Sequence, residues 1–183
     1  MTTPAPSTNV NDPQESLVPT ASHLVSTVHR SPYPSLSPFR PELNQSGRTV
    51  LITGGSAGIG LAIARAYAEA SASKIILTGR RSDVLYQASS QLLDLFPDVE
   101  VIPHVCDVGS AQESARLWSN LENDGIFVDV LVLNAARFGQ QQQPLLEADL
   151  NAAWTLYETN VKALLDFSQR LYKQRGAELK KKV

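Results

Sequence analysis

Residues 49–60 read Thr49-Val-Leu-Ile-Thr-Gly-Gly-Ser-Ala-Gly-Ile-Gly60. A short apolar run enters a glycine-rich turn, and a helical pattern begins at once. Ile59, Ala62, Ile63, Ala66, Tyr67 and Ala70 recur at helical spacing over residues 59–70. A strand, a glycine turn and a helix start in that order form a cradle for a nucleotide phosphate. Glycines at 54, 58 and 60 allow a tight turn and a close approach of backbone to a pyrophosphate. The spacing is Gly-x-x-x-Gly-x-Gly, and it predicts that Gly54, Ser56, Gly58, Ile59 and Gly60 bind the ligand.

Outward from the turn, strand and helix signals alternate. Lys74-Ile-Ile-Leu-Thr78 is a second apolar strand, and Leu85, Ala88, Leu92 and Phe96 mark a second helix stopped by Pro97. Residues 99–105 predict a third strand, 110–123 a third helix and 128–133 a fourth strand. Leu150, Ala153, Trp154, Tyr157, Val161, Leu164, Leu165 and Leu171 predict one buried face of a long fourth helix, with Trp118 and Trp154 in the core. Nearly continuous apolar strands alternating with helices predict an α/β fold, an open doubly wound parallel sheet covered on both faces.

Residues 1–46 differ. They hold eight of the 11 prolines, many serines and threonines, and no glycine. Their apolar residues show no period, which predicts an extended or disordered arm. The expected organisation is an arm over 1–46, a nucleotide-binding unit over 47–175 and a short basic tail over 176–183. The 183 residues suffice for one domain with a core, and the formal charge is −2. No basic face argues for nucleic acid, and no apolar run is long enough to span a membrane. A single cysteine, Cys106, excludes an intramolecular disulfide and favours a reducing compartment such as the cytoplasm. His104 stands apart from His23 and His29 in the arm, so no metal site is expected.

The segment Thr53-Gly-Gly-Ser-Ala-Gly-Ile-Gly60 closely resembles the cofactor fingerprint of the short-chain dehydrogenase/reductase family. Three further matches occur in the family's order. Cys106-Asp107-Val108 resembles the segment whose aspartate contacts adenine. Leu131-Val-Leu-Asn-Ala-Ala136 resembles the fourth-strand Asn-Asn-Ala-Gly segment, with Leu133 for the first asparagine and Ala136 for the glycine. Asn160 stands where the family carries the helix-four asparagine of its catalytic set. The resemblance covers 47 to about 174. It implies a Rossmann-like sheet of which four strands are present, with Asp107 and Asn134 beside the cofactor and Asn160 as the catalytic residue. The Pro-Tyr-Pro lead-in from Pro32 and the later Pro41-Glu-Leu43 look like fungal members.

Cofactor choice is read after the second strand. A carboxylate there would accept ribose hydroxyls and select NAD. Here Thr78-Gly79-Arg80-Arg81 offers two guanidinium groups instead. Arginine binds phosphate through bidentate, charge-assisted bonds. NADP(H) is therefore expected, with Arg80 as first contact and Arg81 as second. The alternative is a solvated turn with Asp83 as a partner for the arginines.

By resemblance, catalysis needs a serine and a Tyr-x-x-x-Lys on a fifth strand and helix. No tyrosine in this chain is followed four residues later by lysine. The chain is thus expected to be the cofactor-binding half of an oxidoreductase acting on a small carbonyl or alcohol, truncated after the fourth helix and inactive alone. The other expectations are a non-catalytic dinucleotide-binding module or a functionless product. An uncovered fourth strand predicts poor solubility, or self-pairing into a homo-oligomer.

Overall fold

The computed structural model describes residues 33–139, 147 and 149–181, with residues 175–181 described by backbone alone. Most of the expected arm, with His23 and His29, lies outside the described residues. The chain divides into two units, residues 1–37 and 38–183. The described part of the first holds one 3-10 turn, Pro34–Leu36.

In the second unit, residues 38–46 open with a 3-10 turn, Pro41–Leu43. The Gln45 amide donates to the Ala70 carbonyl at 2.7 Å, and Gly47 N–H donates to Ser73 Oγ at 2.7 Å. Next along the chain come β1 (Thr49–Ile52), α1 (Gly58–Glu69), β2 (Lys74–Gly79), α2 (Ser82–Leu95), β3 (Glu100–Val105), α3 (Ala111–Asn123) and β4 (Val130–Val132). The last helical stretch has three parts: α4 (Leu150–Tyr157), a π turn (Glu158–Lys162) and α5 (Ala163–Lys181).

All four strands are parallel, in the order β3-β2-β1-β4. Pro103 sits in β3, an edge strand among the described residues, where a residue without an N–H is tolerated. β1 is central, and its alternate residues feed two cores. Val50 and Ile52 pack with Ala64, Ala68, Leu85 and Leu92 from α1 and α2. Leu51 packs on the other face with Leu117, Trp118 and Phe167 from α3 and α5. Trp118 and Phe167 meet edge to face, with centroids 6.1 Å apart. This is the doubly wound sheet that the alternation of apolar runs predicts. No helix among the described residues is long and apolar enough to cross a membrane.

The helix over 59–70 forms as expected, and two packing expectations further along need correction. α1 buries Gly60, Ala64 and Ala68, whereas Ile59 is 74% exposed and Ala62 is also exposed. The smallest residues, not the apolar set as a whole, face the sheet, because they let the helix lie close to it. The stripe from Leu150 to Leu165 does not form a buried face. Leu150, Trp154, Tyr157, Val161 and Leu165 are exposed, while Thr159, Ala163 and Phe167 are buried. α4 contributes no buried residue. Trp154 is 61% exposed and stacks on Tyr157 instead of entering the core. The π turn adds a residue to the helical repeat, which rotates the side chains of α5 by roughly 100° relative to a uniform helix. β4 is also shorter than residues 128–133: Val128 is buried ahead of it and Leu133 lies beyond its end. Backbone helix continues through Lys181, past the expected start of the tail at 176.

Candidate functional site

At the C-terminal ends of the strands, side chains pin β1 to its neighbours. Thr53 N–H donates to the Val132 carbonyl at 2.9 Å. Its hydroxyl donates to the same carbonyl at 3.2 Å and accepts from Asn134 N–H and Ala135 N–H at 2.9 and 3.1 Å. Gly55 N–H donates to the Thr78 carbonyl at 3.0 Å, tying the turn to β2. The Asn134 amide donates to the Thr53 and Gly54 carbonyls at 3.0 and 3.2 Å. Asn134 thus holds the glycine turn from the far side of β1.

The turn requires its glycines for two reasons. Gly54 and Gly58 adopt φ of +66° and +55°, a left-handed conformation that side chains disfavour. Gly60 is needed for space: a Cβ there would lie 2.2 Å from the Gly54 carbonyl oxygen and 2.6 Å from Asn134 Nδ2. Helix α1 therefore begins directly against the turn. Ala57 caps it without a side-chain hydrogen bond, and its first turn holds no acidic residue. Its leading N–H groups and the positive end of its dipole are left for an anion.

A cleft of about 500 Å³ opens at this place, within the range of small-molecule and cofactor sites. Gly54, Ser56, Ile59, Arg80, Arg81, Asp107 and Asn134 all line it. Gly58 and Gly60 do not; they shape the turn. Asn160 does not line it either. Its amide accepts from Arg137 N–H at 2.8 Å and donates to the Arg137 carbonyl at 2.7 Å. Asn160 thereby ties the π turn to the loop after β4.

Three arginines, Arg80, Arg81 and Arg137, and one carboxylate, Asp107, line the cleft. No ion pair joins Arg80 or Arg81 to a carboxylate of the described residues, Asp83 included. Asp107 is fixed on two sides. Its N–H donates to Glu113 Oε2 at 2.7 Å, and its Oδ1 accepts from Gly109 N–H at 2.9 Å. Glu113 belongs to the first turn of α3, which Ser110 caps by accepting from Glu113 N–H. Cys106 forms part of the floor but is 1% exposed, and burial, helped by the charges of Glu113 and Asp107, pushes its thiol up to about 12. A thiol so held is not a nucleophile at neutral pH.

The motifs did not single out Arg137, Phe138 or Thr159, which also line the cleft. Arg137 immediately follows the fourth-strand motif, and Thr159 precedes Asn160, so both were signalled only by their neighbours. Phe138 and Ile59 are 88% and 74% exposed, so two apolar side chains flank the cleft with little cover. The resulting surface joins an anion-binding turn, guanidinium groups and apolar flanks, the mix that a dinucleotide presents in reverse.

A family profile described as short chain dehydrogenase matches residues 48–178. The short chain dehydrogenase mpl6 of Monascus purpureus is 33% identical over 143 residues, 75% of this chain and 47% of the relative. A probable NADP-dependent dehydrogenase of Haemophilus influenzae is 35% identical over 121 residues, 66% of this chain and 45% of the relative. Among solved structures, the L-sorbose reductase of Gluconobacter frateurii, complexed with NADPH and L-sorbose, superposes with a TM-score of 0.66 at 30% identity. That match covers 74% of this chain and 50% of the reductase. The chain spans about half the length of the curated relatives it matches. The profile match and the four motifs in order, on a parallel sheet of the predicted kind, place this chain in the short-chain dehydrogenase/reductase family.

Proposed function

We propose that residues 47–175 are the cofactor-binding half of an NADP(H)-dependent short-chain dehydrogenase/reductase that interconverts a small carbonyl compound and an alcohol. The carrying observation is the pair Arg80 and Arg81 at the end of β2, lining the same cleft as the glycine turn. The dinucleotide would supply the hydride when bound. The chain's own residues bind and orient it. Gly54 and Ser56, with the start of α1, would hold the pyrophosphate. Arg80, with Arg81 second, would hold the ribose phosphate, where an acidic residue would have selected NAD. Asp107 would stand beside the adenine and Asn134 beside the cofactor, and Asn160 would fix the loop after β4. NADPH in the sorbose reductase structure supports the same choice. A lone, buried cysteine fits a reducing compartment, the cytoplasm.

The absence of Tyr-x-x-x-Lys from these 183 residues favours binding without turnover by this chain on its own. Fluorescence titration of the chain with NADPH and NADH tests the proposal. Charge-assisted contacts to one phosphate should favour NADPH by about tenfold or more. Arg80→Ala should remove most of that preference while leaving NADH binding in place. Equal affinity of the unaltered chain for both cofactors would overturn the assignment. Reduction of a carbonyl panel by this chain with NADPH would overturn the claim that it binds without turnover.

A further inference from the structure

We propose that Arg137 is a ligand-contact residue of the cleft, its guanidinium forming one wall of the subsite for the purine end of the dinucleotide. This rests on the dinucleotide reading above and adds a residue outside the four motifs. Arg137 Nη2 lies 3.8 Å from Asp107 Oδ2, and each of the two side chains is about one third exposed. Both residues are anchored at the backbone, and Asp107 at one carboxylate oxygen as well. Asn160 clasps the Arg137 backbone at both its N–H and its carbonyl, and Gly109 and Glu113 fix Asp107. A partly exposed ion pair of that length contributes little to stability, so fold maintenance does not explain why these two side chains meet in the cleft.

The chemistry of the surroundings selects the occupant. The ribose is read at the end of β2, so the base falls on the β3 side, beside Asp107. The cleft walls there are apolar: Val108, Ala135 and Ala136. A carboxylate 3.8 Å from this guanidinium repels an approaching phosphate, so the site suits a second anion less well than Arg80 and Arg81 do. The guanidinium still offers a flat, weakly hydrated face that stacks on aromatic rings. A planar heteroaromatic base, with an amino group within reach of the Asp107 carboxylate, suits this combination better than a second anion.

The test measures the binding of NADPH and of adenosine 2′,5′-bisphosphate to the full chain by calorimetry. Arg137→Ala should weaken both by the same factor, about tenfold, with its melting temperature little changed. Arg137→Lys keeps a cation for Asp107 but loses the flat face, and it should remain weakened toward both probes. Unchanged affinities in Arg137→Ala would overturn the inference. A loss confined to NADPH would also overturn it, because Arg137 would then act on the nicotinamide half. Full recovery in Arg137→Lys would do the same, reducing the residue to a tether for Asp107. A native chain that binds neither probe would overturn the dinucleotide reading and this inference with it; binding that ignores Arg137 overturns the inference alone.

Discussion

Replacing Gly60 by alanine separates two opposed effects at one helical position. In an exposed helix interior, glycine to alanine stabilises by about 1 kcal/mol. At Gly60 the new methyl would stand 2.2 Å from the Gly54 carbonyl oxygen, where ordinary contact begins near 3.4 Å. The start of α1 or the turn must therefore retreat by about 1.2 Å. The obstacle is backbone, not the end of a flexible side chain. Asn134 Nδ2, 2.6 Å from the same methyl, cannot give way without losing its bonds to Thr53 and Gly54. Overpacking of this kind costs roughly 2–3 kcal/mol, so the net effect is a loss of about 1–2 kcal/mol. For a domain of this size the melting temperature should fall by about 3–8 °C, as read by circular dichroism. NADPH affinity should fall with it, because the displaced groups form the cradle. Ala62→Gly, at an exposed position of the same helix, measures the propensity term by itself. A Gly60→Ala chain that melts higher, by about the amount Ala62→Gly loses, would refute the close approach.

Asn160→Ala removes both bonds to the Arg137 backbone, at 2.8 and 2.7 Å. A stability loss of roughly 1–3 kcal/mol and weaker NADPH binding should appear together in urea titrations with and without cofactor; unaltered stability would show that the clasp is not formed. The raised Cys106 pKa sets a sign for alkaline pH. Below its ordinary value of 9.0 the thiol is protonated in both folded and unfolded chains, and its contribution to stability is fully present. Between 9.0 and about 12 only the unfolded chain gives up the proton, so stability should fall as pH rises. Cys106→Ala should flatten that part of the profile, and an unchanged slope in urea midpoints would count against a buried thiol. Thiol reagents at pH 8 should label Cys106 only after unfolding.

The glycine turn was legible because its requirements are local. A short strand, positive φ at Gly54 and Gly58 and an uncapped helix start all lie within a dozen residues. The same holds for Arg80 and Arg81, which come directly after β2 and do line the cleft. The last helices were not legible. Helical spacing from Leu150 to Leu165 marks one face, but that face is exposed both before and after the π turn at Glu158–Lys162. Nor does apolar spacing reveal whether a partner exists: α4 buries nothing, and Trp154 remains exposed beside Tyr157. Arg137 was invisible because its partners, Asp107 and Asn160, come from distant parts of the chain.

Sequence alone determined the class of sheet, the family and the chemistry of the phosphate cradle, since each is written in residues adjacent along the chain. Tertiary structure decided which faces are buried, that Asn160 serves the Arg137 backbone, and that three arginines share one cleft. Those facts depend on where the ends of β1, β2, β3 and β4 converge, and convergence is set by strand pairing between segments far apart in sequence.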